Sequence, residues 1–370
     1  MNPGYRICTR CIMDTTDPQI VFDGPGVCNH CHRYDAIAAK RLIPAGERPA
    51  RLAALVEKIK RDGRGKDYDC VIGVSGGVDS TYVAYLTHEL GLRPLAIHFD
   101  NGWNSELAVA NIEKTLKALG IDLFTYVVDW PEFRDLQLSF LRASTPDGEV
   151  PTDHAIVALL YQMAVKHRLK HVLLGVNVNS EAIMPLMWGY GYADFRYIRA
   201  VQRQFGKMPL KTFPHYSLVQ LFGYMILRKI ELVPILDYID YQKESAMQTI
   251  QSRLGWAYYG GKHYESIYTR FFQSYVLPRK FGIDKRRAHY SNLVMSGQTG
   301  RDAALRALDE PAYHEQGLKD DLAYAIKKLS LTDTAFDEIM ALPPRTFMDY
   351  PNSIRRLEVA KSVLGRLRGR

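Results

Sequence analysis

Two short stretches of this 370-residue sequence hold residue types that do chemistry at a meaningful spacing. The first is Ser75-Gly76-Gly77-Val78-Asp79-Ser80, where an apolar run ends and a helix-like pattern begins. Glycines at a strand-to-helix turn let backbone N–H groups approach an anion closely, and the helix start adds its dipole. The hydroxyls of Ser75 and Ser80 add donors. The run therefore suits phosphate, yet it carries no lysine. G-x-x-x-x-G-K-[ST] occurs nowhere in the chain, and neither does G-x-G-x-x-G.

The second stretch pairs Cys8-Thr9-Arg10-Cys11 with Cys28-Asn29-His30-Cys31, a C-x2-C-x16-C-x2-C pattern. Two such knuckles offer four thiolates to one tetrahedral Zn2+, a closed structural site with no position left for catalysis. Cys28 to His32 also spells the c-type haem attachment motif, and four thiolates can hold an iron–sulfur cluster. The pairing of two knuckles points to zinc over either. Cys70, the one remaining cysteine, precedes Val71-Ile72 in an apolar run and reads as buried and inert. That argues against sulfur transfer through a persulfide.

These stretches need elements to position them. At 47% hydrophobic and 24% charged, the chain reads as soluble and globular with a sizeable core. It has no apolar run of about 18 residues, so no membrane span is expected. Its first residues, Met1 to Cys8, form no apolar signal core, and the cytoplasm is the expected compartment. A net charge of +8 fits an anionic partner such as a nucleotide, a nucleotide-sugar or RNA, without choosing among them.

From Asp69 the pattern alternates. Strands are expected at 69–74, 95–99, 123–128 and 171–174, with helices at 79–90, 105–119, 131–141 and 154–166 between them. Such alternation implies parallel βαβ units with right-handed crossovers, hence an α/β fold with a doubly wound parallel sheet. The expected divisions are a zinc-ribbon head (1–35), a linker helix (36–66), an α/β core (67–184) and a mostly helical C-terminal region (185–370). The phosphate run then lies at the carboxyl end of the first strand, where open α/β sheets bind ligands. His98-Phe99-Asp100-Asn101-Gly102 brings Asp100 to the same edge, and Gly175 to Glu181 follows the fourth strand there. Gly175 permits close approach, and Asn177 or Glu181 offers polar contacts. The alternative role for Asp100 is to cap its turn.

In the C-terminal half, Gly255 to Phe271 interleaves glycines, aromatics and charges, and reads as a wall of the cleft. Lys262 and His263 could meet phosphate, and Glu265 could orient a sugar or accept a proton. Lys285 or Arg286 could supply the positive charge that the phosphate loop lacks.

In its strand–turn–helix setting, Ser75–Ser80 resembles the pyrophosphate (PP) loop of the N-type ATP pyrophosphatases. These include the asparagine, GMP and NAD synthetases and the tRNA thiolases. The resemblance implies an adenine nucleotide alpha hydrolase-like fold and cleavage of ATP to AMP and pyrophosphate. The loop would hold the departing pyrophosphate, Asp79 would contact Mg2+, and Asp100 would contact magnesium or the nucleotide. Over about residues 5 to 305, the order of motifs resembles the N-acetyl sugar amidotransferases of lipopolysaccharide O-antigen biosynthesis. Those motifs are the double C-x-x-C head, Ser75–Ser80, Gly175–Glu181, residues 260–266 and Lys280 to Arg286. That resemblance implies conversion of an acetamido group on a nucleotide-sugar into an acetamidino group. The catalytic set is then Asp79, Lys262, Lys285 and Glu265, with Asp153, His154 and His263 as further candidates for a base. Residue 2 is Asn2, and no cysteine suits a glutaminase elbow, so ammonia is expected from a separate glutaminase subunit. No nucleic-acid partner is expected. The alternative reading is a tRNA-modifying enzyme of the thiolase type.

Overall fold

A computed structural model describes residues 4–190, 193–261, 264–354 and 359 of the chain. Lys262 and His263 lie outside the described residues, as does the basic C-terminal stretch 360–370.

Five strands form one sheet: β1 (Cys70–Gly73), β2 (Pro94–Asp100), β3 (Asp122–Val127), β4 (His171–Leu174) and β5 (Glu231–Pro234). Their order is β3-β2-β1-β4-β5, and every neighbouring pair is parallel. Val71 lies opposite Leu95 and Val172, and Ile72 opposite Ala96 and Leu173. The central strands are buried on both faces, so they read as apolar runs rather than alternating ones. Val71, Leu95 and Val172 pack under the helices Trp130–Ala143 and Val150–Lys166. Cys70, Ile72, Ala96 and Leu173 face the opposite layer, built from Arg48–Asp62, Val78–Glu89, Glu106–Leu119 and Lys243–Leu254. Full burial of each such aliphatic side chain contributes about 1.5–3 kcal/mol.

The doubly wound parallel sheet thus matches the expectation from sequence, with a four-cysteine cluster at the N-terminus and a helical C-terminal region. One strand has no counterpart in the sequence reading. β5 is four residues long, ends on a proline and lies in a helical, aromatic stretch. Two apolar residues, Leu232 and Val233, leave no period to detect, and only pairing with β4 makes it a strand. The helix Asn29–Arg41 also runs through the expected head boundary at residue 35.

The order reverses at β1, between β2 and β4, so the loops after β1 and β4 meet at the carboxyl edge of the sheet. That switch point is where such sheets open a crevice. The C-terminal helices then pack back onto this edge and onto the cysteine head.

Candidate active site and metal centre

The loop after β1 is braced within itself. Ser75 N donates to Ser80 Oγ at 3.2 Å, Gly77 N to Ser75 Oγ at 3.3 Å, and the two serine hydroxyls are 3.1 Å apart. Gly76 has φ +80°, and a Cβ there would lie 2.6 Å from the Ala108 carbonyl oxygen. Only glycine fits that position. A Cβ on Gly175 would lie 3.1 Å from the backbone of Asp79, so the β4 loop closes directly on the β1 loop. Gly77 caps the helix Val78–Glu89 and turns the helix's amide end toward the crevice. From the C-terminal half, Trp256 Nε1 donates to the Gly76 carbonyl at 2.9 Å. Trp256 thus packs on the loop from outside it.

A carboxylate already leans on this loop. Glu265 Oε1 is 3.5 Å from Ser75 Oγ, and a Cβ on Gly77 would come within 2.9 Å of it. Its backbone is fixed beside the end of β2: Ser105 N donates to the Glu265 carbonyl at 2.9 Å, and Ile267 N to the Trp103 carbonyl at 2.8 Å. The Tyr259 hydroxyl meets both Glu265 and the Val78 backbone, and burial followed by the Glu265 charge pushes its pKa up. Glu265 thus places a carboxylate oxygen beside Ser75 and Gly77.

Asp79 opens the helix, and its carboxylate accepts a hydrogen bond from the Tyr241 hydroxyl. Burial, then the Asp79 charge, raises the Tyr241 pKa, so Tyr241 stays a donor. Nothing in the sequence pattern pointed to Tyr241, which arrives from beyond β5. Asp100 Oδ1 accepts from Gly102 N at 2.8 Å and so caps its turn. Asn177 is buried, with Oδ1 accepting from Ser180 N at 3.0 Å and Nδ2 donating to the Gly175 carbonyl at 3.1 Å. Both side chains shape the crevice loops.

A cavity of about 450 Å3 opens beside Tyr264, the residue before Glu265. Its walls include Lys243, Lys285 and His289, three tyrosines (Tyr258, Tyr264 and Tyr290), and Ser180 from the β4 loop's helix. Lys285 Nζ is 3.7 Å from Glu149. Arg286 also borders the cavity, but it is doubly bonded to Asp284 and donates to the carbonyls of Ala307, Leu308 and Glu310. It ties two helices together, which leaves Lys285 as the cation of that pair suited to a ligand. Asp153, in the first turn of the helix Val150–Lys166, is exposed yet closely surrounded by protein. That crowding, then the charges of Glu149 and Asp147, pushes its carboxyl well above the usual range against the pull of Lys285. His154 is fully buried, stacked on Tyr216 at 4.4 Å, and its Nε2 accepts from Tyr216 N at 3.3 Å.

The head brings Cys8, Cys11, Cys28 and Cys31 together with all four sulfurs within 4.8 Å of one another. Three of the separations are 3.6–3.8 Å. Metal–sulfur bonds of about 2.3 Å in a tetrahedron give an edge of about 3.8 Å, so the set fits one metal ion. Backbone amides of Arg10, Cys11 and Cys28 point at Cys8 Sγ at 3.2–3.4 Å and favour the thiolate. Both head histidines are engaged elsewhere, His30 with Asp17 at 2.6 Å and His32 with Asp23 at 2.9 Å. Arg301 donates to the carbonyls of Cys8 and Cys11, and Arg287 pairs with Asp14 at 2.9 Å and donates to the Ile12 carbonyl. These arginines fasten the head to the helices Arg286–Met295 and Arg301–Asp309. Cys70 is fully buried, and burial raises its thiol pKa.

A lysine-free glycine loop thus lies at the switch point of a parallel sheet. Residues 265–363 match the family described as LPS biosynthesis protein WbpG-like, C-terminal domain. A GMP synthase (glutamine-hydrolyzing) from Pyrobaculum aerophilum is 38% identical over 74 residues, 20% of this chain. The match spans only 14% of that enzyme's length. Among solved structures, NMN synthetase from Francisella tularensis is 15% identical, with a TM-score of 0.30, over 77% of this chain and 97% of its own. The U34-tRNA thiolase NcsA from Methanococcus maripaludis, bearing a [4Fe-4S] cluster, is 14% identical, with a TM-score of 0.33, over 82% of this chain and 88% of its own. No described helix is long and apolar enough to cross a membrane.

Proposed function

We propose that this chain is an ATP-dependent amidotransferase that converts an acetamido group of a nucleotide-linked sugar into an acetamidino group in O-antigen biosynthesis. The observation that carries this reading is the tyrosine-lined cavity with Lys243 and Lys285 on its walls, to which the WbpG-like region contributes much of the lining. An amide carbonyl is a poor electrophile, and adenylation is the chemistry a pyrophosphate loop serves. The acetamido oxygen bonds to the α-phosphorus of ATP, and the bond to the β-phosphate oxygen breaks. Ammonia then adds to the amide carbon, the C–O bond breaks, and AMP leaves with that oxygen. The amidine keeps the new nitrogen and takes up a proton.

In this reading Ser75 to Ser80 cradle the leaving pyrophosphate, where charge builds in the transition state. Mg2+, held by Asp79 at the crevice shaped by Asp100, Gly175 and Asn177, would neutralise the phosphates. Lys285 would receive the sugar's diphosphate, Lys262 would meet phosphate, and Glu265 would orient the sugar or accept a proton. The four cysteines hold a structural Zn2+. An iron–sulfur cube between them would spread the sulfurs well beyond the spacing found. Ammonia comes from a separate glutaminase subunit, and the reaction runs in the cytoplasm. The thiolase reading is disfavoured because the one cysteine outside the head is buried and inert.

The deciding experiment incubates the protein with ATP, Mg2+, ammonium and a panel of UDP-linked acetamido sugars, and follows AMP, pyrophosphate and sugar mass. The expected result is one sugar lighter by the difference between O and NH, with AMP formed in step. Asp79→Ala should lower AMP formation more than about 100-fold with the fold intact. Turnover only with tRNA and a sulfur donor would transfer the assignment to the thiolase class.

A further inference from the structure

The segment between Asp194 and Glu231 contains seven Arg and Lys residues and no Asp or Glu. Within it, Leu218–Phe222 and Gly223–Leu227 form one continuous helical rod. The inner side of the rod is anchored. Leu221, Tyr224 and Met225 pack on the core, and the Tyr224 ring stacks on Tyr161 at 5.0 Å. Its start is fixed by a capping box of Ser217 and Gln220. The loop leading into it is pinned by two buried carboxylates: Glu132 accepts from the backbone of Lys211, Thr212 and Phe213, and Asp135 from that of Lys207 and Met208.

The outer side of so firmly held a rod should be polar. Instead Val219 is 81% exposed, Leu227 78% and Phe222 47%, with Arg228 and Lys229 exposed directly after them. A surface helix that is apolar on both sides is missing a partner. Charge decides which one. Apolar residues that end in cations, in a stretch free of acids, match an anionic lipid surface, whereas protein interfaces are depleted in lysine. The rod leads into the amino end of β5, and the crevice lies at the carboxyl ends of the strands. An occupant of the rod therefore leaves the crevice open.

We propose that residues 218–229 dock the protein reversibly on an anionic phospholipid bilayer, with Val219, Phe222 and Leu227 entering the headgroup boundary and Arg228 and Lys229 meeting lipid phosphates. The test is flotation of the full chain with phosphatidylglycerol-containing and pure phosphatidylcholine vesicles over a salt series. Wild type is expected to float with the anionic vesicles only and to detach as salt rises. Phe222→Ser with Leu227→Ser should weaken binding at least about tenfold at unchanged melting temperature, since both side chains are exposed. Arg228→Gln with Lys229→Gln should cost about fivefold per charge and flatten the salt dependence. A Phe222→Trp variant should show a blue-shifted emission on anionic vesicles. Failure of wild type to float at low salt, or equal flotation of the Ser double variant, overturns the proposal. A concentration-dependent dimer dissolved by Leu227→Ser, without flotation, would give the face to a second copy of the chain. The outcome is independent of whether the sugar is amidated.

Discussion

The phosphate loop and the tyrosine-lined cavity are held by opposite means. The loop is backbone chemistry confined to six residues, fixed by the positive φ of Gly76 and by bonds between Ser75 and Ser80. The cavity is side-chain chemistry gathered from segments far apart in the chain. The helix Arg286–Met295 on its wall is bolted to the cysteine head through Arg287, and through Ser291 Oγ, which accepts from Ile12 N at 3.2 Å. The difference teaches that the loop is shaped chiefly by local geometry, with Trp256 as a distant brace, while a wall of the cavity is fastened to a four-cysteine cluster that does not line it.

The largest effect should therefore come from the head. Cys8→Ser with Cys28→Ser is expected to abolish metal binding and lower the melting temperature by about 10 °C or more, because binding free energy at such a site is folding free energy. Sugar affinity should fall by at least about tenfold as the helix Arg286–Met295 loosens, while ATP affinity stays within about threefold. Metal analysis, thermal unfolding and titration calorimetry check this. Stoichiometric metal in the double variant would refute the ligand set, and equal loss of ATP binding would erase the contrast. Gly76→Ala is the reverse case. Its Cβ would meet the Ala108 carbonyl at 2.6 Å with φ in the left-handed region. Strain of about 1–3 kcal/mol and a loss of AMP formation of at least about 100-fold are expected, with metal content unchanged.

The same contrast sets what could be read in advance. Ser75–Ser80 is visible in sequence because strand, turn and helix start are consecutive and each glycine has a local cause. The cysteine pairs are visible because ligand spacing is local in each knuckle. Tyr241 on Asp79, Trp256 on Gly76 and Arg301 on the head carbonyls are long-range meetings with no periodic signal. Asp100 and Asn177 arrive at the expected edge, but as caps, since Asp and Asn side chains readily bond a backbone amide two or three residues on. Arg286 and Lys285 are adjacent in sequence, and only the packing separates a helix tie from a cavity cation.

A smaller effect probes the boundary between the two regions. Asp153 has a folded-state pKa raised by crowding and by Glu149 and Asp147. A carboxyl with a raised folded pKa binds its proton more tightly in the native state. Its contribution to stability is fully present below the unfolded pKa of about 3.9, and is lost as pH rises through the folded value. Asp153→Asn, which cannot ionise, should flatten that decline, so its stability advantage over wild type grows with pH in urea titrations. Identical pH profiles would mean that its surroundings do not disfavour this charge.

The smallest expected effect carries the sharpest question. Glu265 stands on the phosphate loop, yet its sequence setting suits a catalytic carboxylate in the cleft. In the proposed reading a phosphate and this carboxylate compete for Ser75, and ATP would displace the side chain. Glu265→Gln removes the competing charge but keeps the shape. If Glu265 acts at the loop as an anion in waiting, the substitution tightens ATP binding by about three- to tenfold and leaves kcat within about threefold. If the displaced carboxylate swings to the sugar and takes a proton there, kcat falls by at least about 100-fold with ATP affinity little changed. The two outcomes move different constants. A single titration and a single rate measurement then say whether this residue belongs to the backbone-built loop or to the side-chain-built cavity.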